Sequence, residues 1–326
     1  MDSANILAIT GGGMMGRFST QVLEGLEDAR RQAIGLNGEP GLLDCFDVMA
    51  GTSAGALCVA GLLARKPANE LSRLFEDKGK AIFRSGKWAT VRQFFRAKND
   101  AAPLKSAIEE VIGDLYAKRL GEIEKTVVFP TFNESKGTPV ILTNENPEHH
   151  NIKLGDAVMA SAAAPTYFPA HRINGETGDR YIDGGIYANA PDIAAITIAM
   201  KKWHRLTLDR IYLLSIGTTN HAASPYDSNH RGNIGVWGWA AKPMARLLHV
   251  AMRGQVDHST RLLTQLPLAM FCRIERELES DGDVSFALDN TDPKTMAALV
   301  DAGTEAVKKC LVGTNSDLRL VLARGK

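Results

Sequence analysis

Residues 45–55, CFDVMAGTSAG, decide how this chain folds. Cys45 to Ala50 is a short apolar run that reads as a buried strand, and Ala54 to Ala64 reads as the helix that follows it. Between them, Gly51-Thr52-Ser53-Ala54-Gly55 is a G-x-S-x-G on a strand-to-helix turn, the setting that makes this pentapeptide a nucleophile elbow. Gly51 and Gly55 bracket the turn because it is crowded, and a Cβ at either would strike the neighbouring strand or helix. The Ser53 hydroxyl is then presented at a helix N-terminus. Without that setting the same letters also fit a glycine-rich helix start with an N-capping serine. The uncharged run Val48 to Ala64 has 17 residues, the lower limit for a membrane span, but its glycines, Thr52 and Ser53 divide it into strand, turn and helix.

Upstream, Asn5 to Thr10 (NILAIT) is a β-branched apolar run that ends in Gly11-Gly12-Gly13-Met14-Met15-Gly16. Phe18, Val22, Leu26, Ala29 and Ala33 then recur at helical spacing until Gly35. Two strands joined by a helix make a βαβ unit, which calls for a parallel sheet covered by helices. Downstream, helices are predicted over 69–83, 104–116, 154–164 and 192–203, and strands over 126–132, 139–143, 180–182 and 211–216. Residues 224–238 read as a loop and 239–265 as a helix, with a closing helix over 292–311 started by Asp292 as N-cap and Pro293 in its first turn. The expectation is one α/β domain over 1–326: a three-layer α/β/α core with a mostly parallel sheet, motifs over 5–217 and a helical portion over 234–326.

Composition excludes several classes. With 38 basic against 37 acidic residues the net charge is +1, so no global field would draw in a nucleic-acid polymer. At 44% hydrophobic and 23% charged, the chain buries a large core rather than staying disordered. Cys45, Cys58, Cys272 and Cys310 show no CxxC spacing and lie mostly in apolar surroundings, so buried thiols are expected rather than disulfides or metal ligands, in a reducing, cytoplasmic setting. No charged segment precedes the early apolar run, and a secretory signal is not expected.

Two loops are candidates to complete the chemistry of Ser53. The stretch from Gly11 to Gly16 literally matches G-x-G-x-x-G, a dinucleotide cradle, but the acidic residue such a site wants at the end of the second strand is replaced by Met49, Ala50 and the elbow. Alternatively, successive glycines let backbone N–H groups converge on one small anion, as an oxyanion hole requires. Loops after adjacent parallel strands meet at one sheet edge, so this loop and Ser53 are expected side by side. For the base, all eight histidines lie at or beyond His149, and His204, His221, His230, His249 and His258 are formally available without a motif-like setting. Asp183-Gly184-Gly185 is the better candidate: an aspartate at a strand end, followed by two glycines, can approach another loop closely enough to serve Ser53 directly.

The ordered set GGGMMG, GTSAG and DGG, with ASAAAPTYFPAH (160–171), DGGIYANAP (183–191) and LLSIGTT, resembles the patatin-like phospholipases, lipid acyl hydrolases with a Ser-Asp dyad. The resemblance spans residues 6 to about 217. It implies Ser53 as nucleophile, Asp183 as general base, Gly11, Gly12 and Gly13 as the oxyanion loop, and no metal or cofactor. An aspartate is a weak base unless desolvated, so Asp183 is expected to be buried with a raised pKa. Two positions depart from the family pattern. Met15 stands where the glycine loop often carries Arg or Lys, with Arg17 the expected substitute, and Ala190 stands where Asn is common.

The overall pattern further resembles bacterial patatin-like effectors of anti-phage defence that cyclic GMP-AMP activates. That resemblance implies a membrane phospholipid substrate, peripheral contact with the inner membrane, a cyclic-dinucleotide activator and homo-oligomerisation on activation. The segment 84–98, which interleaves Arg84, Lys87, Arg92, Arg96 and Lys98 with Trp88, Phe94 and Phe95, has the composition for a lipid surface, and equally for a solvated linker helix. Trp237-Gly238-Trp239 favours core packing over lipid insertion, and Lys242, Arg246 and Arg253 fit a solvated basic face better than a phosphate site. An unregulated lipid acyl hydrolase, a dinucleotide-binding oxidoreductase and an inactive binding protein are the other classes the sequence leaves open.

Overall fold

The computed structural model describes residues 1–35, 41–83, 97–221, 245–278, 288–312 and 316–324. Strand β1 (Ala4–Ile9) is buried at every position. Its alternate side chains enter two separate apolar layers, which is why the run carries no polar alternation. Leu7 and Ile9 join the layer containing Phe18, Val22 and Leu26 of α1 (Gly16–Ile34). Ile6 and Ala8 face the opposite layer.

After α1 come β2 (Val48–Gly51) and α2 (Ala54–Leu63). The expected strand over 45–50 starts only at Val48, because Leu42–Cys45 closes a short 3-10 turn. The helix expected over 69–83 is α3 (Ala68–Arg73) and α4 (Gly79–Ile82), joined by a π turn over Leu74–Lys78. Next are α5 (Ala101–Ile112), β3 (Thr126–Asn133), β4 (Thr138–Thr143), α6 (Leu154–Ala162), β5 (His171–Arg172), β6 (Arg180–Asp183), α7 (Gly185–Ala188) and α8 (Asp192–Lys202). The chain continues through β7 (Ile211–His221), α9 (Ala245–Leu263), β8 (Met270–Leu278), α10 (Pro293–Val312) and α11 (Ser316–Ala323). Asp292 caps α10 as expected, its carboxylate accepting the Lys294 and Thr295 N–H groups.

The sheet runs β5-β6-β3-β2-β1-β7-β8, with β4 on the other edge of β3. Strands β3, β2, β1, β7 and β8 are parallel neighbours, while β4, β5 and β6 add antiparallel pairings. Helix α8 covers one face through Ala195, Ile196 and Ala199, and α1, α2 and α10 cover the other. The portion over 234–326, expected to be helical, thus contributes a strand to the sheet. In β8 the residues Met270, Cys272 and Ile274 are buried and alternate with half-exposed Phe271, Arg273 and Glu275.

One topological feature positions the site. The same edge of β3 pairs first with β2, parallel at Thr126 to Val128, and then with β6, antiparallel at Thr131 to Asn133. β2 and β6 therefore lie end to end and point at each other. The gap between their C-terminal ends holds the Ser53 turn on one side and Asp183 on the other.

The layer between α1 and α3 contains a buried carboxyl. Glu27 accepts the Ala68 N–H at 3.0 Å, its second oxygen has no partner, and burial pushes its pKa up to about 7. Because the folded pKa lies above the ordinary carboxylate value, the stability Glu27 contributes is fully present at acid pH and is lost as pH rises through 7. Glu27→Gln is expected to raise Tm at pH 8 by several degrees and to give no gain at pH 5, read by thermal unfolding at both values.

Candidate active site

The elbow is built as its glycines require. Ser53 sits at φ 55°, in the left-handed region where a serine is strained. A Cβ on Gly55 would lie 2.2 Å from the Ile9 carbonyl oxygen, and one on Gly51 would lie 2.3 Å from the Gly55 carbonyl oxygen. The strand-turn-helix can close this tightly only with glycine at both positions. The Ser53 N–H donates to the Ser161 hydroxyl at 3.2 Å, which in turn donates to the Pro130 carbonyl at 2.7 Å. The Thr52 hydroxyl donates to the Ala188 carbonyl at 2.8 Å. The elbow is thereby tied to α6, β3 and α7.

Asp183 ends β6, 5% exposed, and its Oδ1 accepts the Gly185 N–H at 2.7 Å. Burial pushes its pKa up to about 6, against hydrogen bonds from the Ser53 hydroxyl and the Gly185 amide that pull it down. Gly184 is obligatory here, since a Cβ on it would meet the Pro130 carbonyl oxygen at 2.3 Å. The carboxyl is thus desolvated and aimed at Ser53, the state a weak base needs to take a proton near neutral pH.

The glycine loop lies against both groups. A Cβ on Gly11 would stand 3.1 Å from the Ser53 Cβ and 2.5 Å from the Asn189 Oδ1. The Gly11 N–H is already committed to the Asn189 carbonyl at 3.0 Å, and the Asn189 side-chain amide donates back to the Gly11 carbonyl at 3.3 Å. The Met14 N–H is taken by the Leu288 carbonyl at 2.8 Å. Among the described residues, no backbone acceptor outside the helices is recorded for the Gly12 and Gly13 N–H groups. Of the three glycines expected to donate, Gly11 instead fixes the loop. Asn189, Ser161 and Leu288 are contributors that the sequence reading missed.

Positive potential at this point comes from the backbone. Helices α1 and α2 both begin at the site, one behind the glycine loop and one behind Ser53, so the positive ends of two helix dipoles face it. Arg17 does not supply the charge expected of it: its guanidinium is buried against Glu76, Thr20 and Gln21. Met15 is part of the apolar core.

Ser53, Asp183 and Gly13 open into an apolar cavity lined by Leu57, Phe75, Ile82, Leu104, Ile108 and Phe168 among others. Among the described residues, Asp183 is the one charged side chain lining it and no histidine does. Such a cavity accepts an alkyl chain and presents its polar end to the serine.

The patatin-like phospholipase family profile matches residues 7–196, from β1 through the DGG turn into α8. The chain belongs to the patatin-like phospholipase family. It is an enzyme, a lipid hydrolase of this class, and the dinucleotide reading of the glycine loop is set aside. Among its relatives is a cGAMP-activated phospholipase of Pseudomonas aeruginosa, 30% identical over 94% of this chain and 89% of that protein. The cGAMP-activated phospholipase of Vibrio cholerae is 27% identical over 93% of this chain and 90% of its own. Patatin-like protein 3 of Arabidopsis thaliana is 29% identical over 93% of this chain and 80% of its own.

Several expectations fall elsewhere. Residues 84–96, with the lipid-surface cations and aromatics, lie outside the described residues, as do Trp237, Trp239, Lys242 and His230, and the side chains of Arg246, His221 and His249. Lys98 is described: it pairs with Asp289 and stands over the Tyr167 ring. Arg253 faces Asp257 at 3.8 Å along α9. No helix among the described residues is long and apolar enough to cross a membrane.

Proposed function

We propose that this patatin-like phospholipase releases fatty acids from membrane phospholipids through a Ser53–Asp183 dyad, and that a cyclic dinucleotide of the cyclic GMP-AMP class switches it on. The observation that carries the dyad is the desolvated Asp183 carboxyl against the Ser53 hydroxyl at the polar end of an apolar cavity. Asp183 takes the Ser53 proton while Oγ attacks the ester carbonyl. The developing oxyanion sits on the Gly12 and Gly13 N–H groups, and collapse expels the lysolipid alcohol, which regains the proton from Asp183. Water, deprotonated by the same carboxylate, then releases the acid from Ser53. The names of the Pseudomonas and Vibrio relatives support the activator. Peripheral contact with the inner membrane and oligomerisation on activation belong to the same proposal.

Asn189 holds the loop through its side chain as well as its backbone, which makes it a positioning residue. Asn189→Ala is expected to lower kcat about 10- to 100-fold, the scale of a partly misplaced oxyanion donor, with KM for a soluble ester little changed. A variant with unchanged kcat would remove Asn189 from this role.

The test of function is fatty-acid release from vesicles of mixed bacterial phospholipids, with and without a panel of cyclic di- and trinucleotides. Release only with one nucleotide, and none from Ser53→Ala, is expected. Equal release without any nucleotide would leave an unregulated lipid acyl hydrolase.

A further inference from the structure

Outside the active site, two thiols of the fold meet. Cys272, on β8, and Cys310, near the end of α10, have their sulfurs 2.9 Å apart. The two elements pack directly on one another, with Leu299, Ala302 and Ala306 of α10 sharing the apolar layer of Met270, Cys272 and Ile274. We propose that Cys272 and Cys310 form a reversible oxidation site, closing to a disulfide that ties the strand to the helix when the protein meets a peroxide.

The sulfurs must approach by roughly 0.9 Å to reach the ~2.05 Å of a disulfide. Cys272 is buried while Cys310 is half-exposed, so a small oxidant has one thiol to attack and the other is held back to resolve it. The Cys310 thiolate attacks a peroxide oxygen, breaking the O–O bond and leaving a sulfenic acid with loss of water. The Cys272 sulfur then displaces the hydroxyl, which departs as a second water. Two thiols lose two hydrogens and two electrons, and one peroxide is reduced.

The other two cysteines make the site selective. Cys45 and Cys58 are buried, and burial pushes their thiols up to about 11 and about 12, away from the reactive thiolate. The bridge would also close a covalent loop around Leu288 and Asp289, whose carbonyl and carboxylate hold Met14 and Lys98 beside the active site.

The experiment treats the folded, full-length protein with hydrogen peroxide, removes the peroxide, unfolds the protein in denaturant with a thiol-blocking reagent, and maps the peptides by mass spectrometry. The expected result is a fall from four blockable thiols to two and a Cys272–Cys310 peptide pair two hydrogens lighter, reversed by dithiothreitol. Oxidation should raise Tm by about 5 °C. Cys310→Ser should retain activity in reducing buffer and show neither the bridge nor the Tm rise. Four thiols persisting, a bridge between any other pair or between chains, or oxidation that stops at Cys310 without bridging would each overturn the proposal.

Discussion

Ser53→Ala is expected to abolish fatty-acid release, by on the order of ten-thousandfold or more, because among the described residues no other serine, threonine or cysteine lines the cavity. The loss is expected without unfolding, since the Ser53 hydroxyl supports the turn less than its own backbone N–H does through Ser161. Ser53→Gly sharpens the point. A glycine accepts φ 55° without strain, so this variant should be equally inactive yet more stable by about 1 kcal/mol. Thermal unfolding and activity would then move in opposite directions, as they do where strain serves chemistry.

Asp183→Asn is expected to behave in the same divergent way for an electrostatic reason. The fold holds this carboxyl at about 6, above its ordinary 3.8, so it disfavours the ionised form. The penalty is absent below pH 3.8, grows through the interval, and is complete above 6, where it amounts to roughly 3 kcal/mol. Asparagine stays neutral at every pH and can still accept the Gly185 N–H. The variant should therefore be more stable than the wild type at pH 7.5, indistinguishable at pH 4, and inactive at both. In the wild type, kcat/KM should rise through about pH 6 and level off above it, following ionisation of the base.

The central parts of the fold were legible because they rest on local chemistry. NILAIT is buried at every position since both sheet faces are covered, and Gly13, Gly51 and Gly55 of the two glycine motifs stand where a Cβ would strike a backbone atom. Strand β8 escaped because Arg273, Glu275 and Glu277 interrupt MFCRIEREL, although their alternation with Met270, Cys272 and Ile274 is itself a strand period. What the sequence could not disclose was which partners the loops take. The Gly11 amide goes to Asn189 and the Met14 amide to Leu288, contacts between segments far apart in the chain that leave no periodic trace. Arg17 was misplaced for a related reason: its position beside the glycine loop is one of sequence, whereas its helical direction carries it to Glu76.

The end-to-end meeting of β2 and β6 on one edge of β3 explains why two residues 130 positions apart can act together. It also makes the pair directly testable by covalent labelling with a long-chain alkyl fluorophosphonate, followed by peptide mapping. The account predicts a single adduct on Ser53 in the wild type, forming faster as pH passes through about 6, and none of comparable rate in Asp183→Asn. An adduct on any other residue, or labelling of Asp183→Asn at the wild-type rate, would contradict it.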